Sequence, residues 1–167
     1  MRCCSGLFPV LRDSYDEGRK MNYETGFSVV GIIAFVGWGA LAFAPLYHLV
    51  LTRFAFAVSI VLALAYALFM LLSFGQEPAV DFGSLAGVIN GFSVPGHMLT
   101  GWTHFLAFDL MIGVWETRQS KKWNVPHLLL LPCLALTFLF GPLGILSFLM
   151  IGFICKQRAG TEQSAMG

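Results

Sequence analysis

The sequence predicts an all-α integral membrane protein with four transmembrane helices, the fourth kinked or broken at Gly141-Pro142. Composition and charge spacing support this. Of 167 residues, 57% are hydrophobic and only 11% are charged, less than half the roughly 25% of a soluble domain. Mean hydropathy is +0.75. Such a chain cannot cover a globule with polar surface. A formal net charge of +1 also excludes a nucleic-acid binder, which would carry a basic patch. The length fits one domain.

The head, residues 1–20, is polar: Arg2, Arg12, Arg19 and Lys20 alternate with Asp13, Asp16 and Glu17. Its apolar runs are too short for a signal peptide. With Met21 following directly, the head reads as an extension that takes no part in the fold. Residues 21–158 form the membrane domain, and 159–167 a C-terminal tail. Charges divide the domain into runs. Residues 25–52 and 54–76 carry none, and about 20 apolar residues suffice to cross a membrane. The first span is placed at about 27–46, with Pro45 near its end and Tyr47 and His48 at headgroup depth. The second runs over about 54–74. Its Ala55, Ser59, Ala63 and Ala67 recur every four residues and offer a smooth face for a neighbouring helix.

From Gly75 to Pro95 the chain turns polar and glycine-rich, and Phe82 to Phe92 reads as a short surface helix. The third span is placed at about 96–115, followed by a basic loop with Arg118, Lys121 and Lys122. The uncharged run after it gives a fourth span at about 125–155. At 1.5 Å per residue this would reach about 45 Å, too long for one upright crossing. Pro132 and Gly141-Pro142 interrupt it. A single kinked helix is the first reading, and two half-helices the second. With four spans the positive-inside rule points in opposite directions depending on whether the head is present, so it fixes no orientation.

The third span carries the ionisable residues, and such residues rarely face lipid. At 100° per residue, His104 and Asp109 lie about 140° apart around the helix and cannot share a metal on a straight helix. His97 falls on the face of His104, and Trp102 and Glu116 on the face of Asp109. A carboxyl group withdrawn from water favours its protonated form, so Asp109 is a candidate general acid and His104 the matching base. The bland alternative has both bonded to neighbouring backbone. His97, His48 and His127, at span ends, read as structural. Thr137 beside the Gly141-Pro142 break is suited to satisfy a freed carbonyl. Cys3, Cys4, Cys133 and Cys155 form no C-x-x-C pair and no His/Cys cluster, so no metal site is expected. Hydrolase elbows, phosphate loops, dinucleotide fingerprints and paired histidine boxes are absent. Cofactor-free acid/base chemistry on a lipid-soluble molecule survives, beside the option of no chemistry.

The stretch GWTHFLAFDLMIGVWE (Gly101 to Glu116), then Pro126, then LPCLALTFLFGPLGIL (Leu131 to Leu146) resembles the abscisic-acid-deficient protein 4 family. The likeness is strongest over about Leu99 to Leu146. Plant members act in plastid envelopes and are needed to make neoxanthin from violaxanthin, a redox-neutral rearrangement of an epoxide into an allene. The resemblance therefore implies an epoxy-carotenoid isomerase without a cofactor, with Asp109 and His104 as acid and base. Trp102, Phe105, Phe108, Thr137, Phe138 and Gly141 would line the substrate. The rival is a non-enzymatic pigment-binding or accessory subunit of a larger, for example photosynthetic, membrane complex. Expected partners are a carotenoid or other long apolar ligand, membrane lipid, and a second copy or a larger complex, but no nucleic acid. The expected location is a bacterial inner membrane, or a plastid membrane for a plant or algal form.

Overall fold

Six helices follow one another in the computed structural model, which describes the backbone of residues 7–165 and the side chains of 23–157. They are α1 (Leu7–Ala42), α2 (His48–Ser73), α3 (Leu85–Phe92), α4 (Pro95–Lys122), α5 (His127–Phe140) and α6 (Pro142–Ala165). Over the described residues the regular structure is all helical. The side chains of the 1–20 head and the 159–167 tail lie outside the described residues.

Helix boundaries follow local chemistry. α1 ends before Pro45, which has no N–H to donate; turns from Phe43 to Leu46 replace the last stretch expected of it. α3 begins at Ser84, whose side chain accepts from Gly87 N at 3.0 Å, the usual satisfaction of an open helix N-terminus. Asp81 braces that start by accepting from Gly83 N at 2.8 Å and from Ser84 Oγ at 3.0 Å. Pro95 sits in the first turn of α4, where its fixed φ costs nothing. α4 then continues past the expected 96–115 to Lys122, ending on two lysines that suit the negative end of the helix dipole.

α4 is the central helix and packs against each of the other five. Its Leu110 and Val114 join Leu41 of α1, Leu62 of α2, Leu130 of α5 and Phe148 of α6 in the core. The small-residue face of α2 works in its first half. Ala55 and Ser59 are fully buried and Ala63 packs against the core, but Ala67 is exposed. Around that level α2 turns Tyr66 and Met70 toward a cavity instead.

The fourth apolar run is broken, and its two halves fold back on each other. Gly141 has φ +33°, a value side-chain-bearing residues rarely adopt. Beyond it α6 runs antiparallel to α5. Gly144 lies against Thr137 too closely for any Cβ, and Gly152 lies likewise against the Trp123 ring just ahead of α5. Between them Phe148 stacks on Trp123, with centroids 5.5 Å apart, and meets Trp115 edge-on at 5.6 Å. A single kinked helix over 125–155 is thus replaced by a hairpin whose tip is Gly141.

Among the residues with described side chains, the lysines and arginines gather at one end of the bundle. His127 Nε2 lies 2.9 Å from Ala42 O, and His48 Nε2 lies 3.3 Å from Thr117 O. These contacts tie the end of α1, the start of α2, the end of α4 and the start of α5 together. Arg53, Arg118, Lys121 and Lys122 belong to this end, and α6 returns toward it with Lys156. The opposite end holds α3 and the acidic Glu24, Glu77 and Asp81. Two segments, Tyr23–Ala42 and His48–Ser73, are long and apolar enough to cross a membrane; His127–Phe140 and Pro142–Gln157 are shorter apolar helices.

Candidate functional site

α4 carries its polar side chains on two sides, and each side meets a different environment. Toward the hairpin, Glu116 is fully buried and accepts from Thr137 Oγ1 at 2.9 Å (Oε1) and 3.1 Å (Oε2). Thr137 therefore answers a carboxyl group and not the carbonyl freed at the break. The carbonyl of Thr137 itself takes the Gly141 N–H at 2.9 Å. Higher on the same side, half-buried Asp109 sits at the hairpin tip. A Cβ at Gly141 would come within 2.9 Å of Asp109 Oδ1, so the missing side chain is what admits the carboxyl group.

Toward α2 and α3 lies a cavity of about 520 Å³. Met70, Phe74, Val80, Phe82, Phe92 and Phe105 give it apolar walls, with His104 and Tyr66 in its lining. The His104 ring stacks on Phe108 with centroids 4.6 Å apart and tilts against Tyr66 at 5.3 Å. Among the described residues, neither the Tyr66 hydroxyl nor an imidazole nitrogen of His104 has a hydrogen-bond partner. The other polar side chains of the lining each make at least one hydrogen bond within the protein. Gln76 donates to Tyr23 Oη at 3.1 Å, and Thr100 Oγ1 to Gly96 O at 2.8 Å. His97 Nδ1 lies 3.0 Å from Gly91 O and Nε2 3.3 Å from Ser73 O, which sets the ring between the last turn of α3 and the end of α2. Together with His48 and His127, it fills the structural role expected of it.

The expected site residues are thus distributed. His104 and Phe105 line the cavity, and Phe108 backs the histidine. Asp109 and Gly141 meet at the hairpin tip, on the other flank of α4. Phe105 and Phe108 are exposed, and their angular positions fall between those of His104 and Asp109. An aromatic strip therefore separates the two titratable groups, each bordering it from one side. Trp102 stacks on Phe27 of α1 at 5.4 Å, while Phe138 packs edge-on against Phe35 and Trp38. Neither lines the cavity, and nor does Thr137. Among the described residues no group of three or more His, Cys, Asp or Glu could hold a metal.

Two residues are not singled out by sequence reasoning in the roles the structure gives them. Tyr66 is the only tyrosine in the second apolar run, and that isolation is its available signal. Glu116 reads from the sequence as the outer end of a span, whereas α4 continues well beyond it and the hairpin encloses it.

No curated protein and no solved structure matches the chain. A family model described as ABA DEFICIENT 4-like matches residues 25–148, which takes in α2 to α5, the hairpin tip and the cavity. The chain belongs to the ABA DEFICIENT 4-like family.

Proposed function

We propose that this chain is an integral membrane protein of the neoxanthin-synthesis type that isomerises an epoxy-carotenoid by cofactor-free acid/base chemistry. Family membership is the observation that carries the reading. Its membrane setting is supported by the outer surface, where Ile32, Phe35, Leu64, Leu71 and Phe153 stand exposed on a bundle with few charges. In this reading α1, α2 and α4 cross the bilayer. α5, at 14 residues, measures about 21 Å against a hydrocarbon core of about 30 Å. The α5–α6 hairpin therefore enters from one side, with Gly141 and Asp109 near mid-depth. Broken helices are tolerated there when buried in protein or lining a site.

This topology favours one orientation. Arg53, Arg118, Lys121, Lys122 and Lys156 gather on one side, and the opposite side holds the acidic Glu24, Glu77 and Asp81. By the positive-inside rule this reading has the hairpin's open end on the cytoplasmic or stromal side.

The chemistry requires two proton movements. An acid protonates the epoxide oxygen as its C–O bond breaks, giving a hydroxyl. A base removes one proton from the adjoining polyene, and that electron pair forms the second double bond of the allene. Protons and electrons balance, and the product is an isomer. Asp109 as acid and His104 as base border the Phe105–Phe108 strip, on which a polyene would lie between them. Purified protein in detergent should convert added violaxanthin to neoxanthin, read by chromatography and absorption. Recovery of bound but unchanged carotenoid would favour the pigment-binding subunit and defeat the isomerase.

A further inference from the structure

We propose that the cavity between α2, α3 and α4 binds the oxygen-bearing ring end of a neutral, largely apolar ligand, with the Tyr66 hydroxyl and the His104 imidazole as its polar anchors. The inference takes its membrane setting from the reading above and shares His104 with it, but concerns binding and requires no turnover.

Size comes first. A cavity of about 520 Å³ falls in the ordinary range of small-molecule pockets, roughly 300–1,000 Å³. It suits a compact ring, not the whole of a long chain. The remainder has a path out, because Phe105 belongs both to the cavity wall and to the exposed strip that continues to Phe108. A ligand seated by its ring would leave the cavity along α4.

Charge narrows the class. Among the described residues the lining includes no lysine or arginine, and its only carboxylate side chain is Glu77, in the loop that follows α2. An anionic headgroup would find no counter-charge and would meet Glu77. A cation would have to leave water for an apolar interior, at high cost. Neutral ligands remain.

Polarity then places the oxygen. Ser73, Gln76, His97 and Thr100 each already hydrogen-bond within the protein. Tyr66 and His104, 5.3 Å apart between ring centroids, do not. A hydroxyl or ketone on the ring can take a bond from the tyrosine, and a hydroxyl can also give one to the imidazole. A pure hydrocarbon would leave both groups desolvated and unanswered, which is unfavourable. The cavity therefore selects an oxygenated ring over its hydrocarbon counterpart.

The test uses the full chain in lipid nanodiscs, with empty nanodiscs as blank, and two ring probes, 3-hydroxy-β-ionone and β-ionone. Ligand-observed NMR titration should give tighter, saturable binding of the hydroxylated probe to the parent. Tyr66→Phe should weaken that probe by about 2- to 10-fold, the worth of one hydrogen bond, and leave β-ionone unchanged. Ala79→Trp, on the cavity wall, should remove saturable binding of both. Equal affinity of Tyr66→Phe and parent for the hydroxylated probe would overturn the proposal, as would full binding by Ala79→Trp. The expected binding pattern in a protein that fails to convert violaxanthin would uphold this site while defeating the isomerase reading.

Discussion

On the hairpin side of α4, the Glu116 carboxyl is sealed from solvent and held by Thr137, and the glycines of α6 close against α5 and Trp123. On the α2–α3 side, Tyr66 and His104 face a cavity with no hydrogen-bond partner among the described residues. The difference teaches how to read polar residues in an apolar chain. A buried group that the protein itself satisfies contributes to one fixed arrangement. A group left open beside a cavity contributes little to that arrangement, and its natural partner lies outside the chain. Asp109 stands between these cases, half-buried at the hairpin tip yet bordering the exposed aromatic strip.

Substitutions should separate the two sides by what they damage. Gly144→Ala should cost most, because its Cβ would run into the backbone of Thr137 and α6 would have to move off α5. A loss of about 3 kcal/mol, the upper part of the usual overpacking range, should appear as a clear fall in melting temperature in detergent. Thr137→Val keeps shape but leaves Glu116 enclosed without its donor, at about 2 kcal/mol. Here Glu116→Leu in the same chain should return part of the loss, since removing both partners of a buried pair costs less than removing one. An unchanged melting temperature in Thr137→Val would remove the structural account of Glu116. Tyr66→Phe should change stability by no more than about 0.5 kcal/mol, since its hydroxyl bonds none of the described residues. A larger loss would mean that the cavity side is also part of the scaffold.

Much of the fold is legible in the sequence because charges are so sparse. The uncharged runs ending at Arg53 and Glu77 locate α1 and α2, and the readings of a short helix over Phe82 to Phe92 and a span from about 96 locate α3 and α4. The break at Gly141-Pro142 is legible too, because neither residue sustains a helix there. The fold-back is not. One kinked helix and two short antiparallel ones have the same hydropathy, and only tertiary contacts distinguish them. A faint signal exists in Gly144, Phe148 and Gly152, which recur every four residues and set a large ring between two gaps on one face. The separation of His104 from Asp109 follows from helical periodicity alone. Tyr66 does not stand out among ionisable groups, because its value lies in being unpaired beside a cavity that exists only once α2, α3 and α4 are packed together. Thr137 is legible as a polar residue near the break, but its partner is not, since its donor finds Glu116 across the α4–α5 interface.

The central claim is that turnover depends on His104, on the open flank of α4, and stability on the Glu116–Thr137 pair of the closed one. The direct test compares His104→Gln with Thr137→Val, measuring melting temperature and violaxanthin conversion per folded molecule on each preparation. His104→Gln should melt with the parent and lose about 10²- to 10⁴-fold in turnover, the usual worth of general acid–base catalysis. Thr137→Val should melt lower while its folded fraction turns over at the parental rate. Parental turnover in His104→Gln, or a selective loss of turnover in Thr137→Val without loss of stability, would contradict the account.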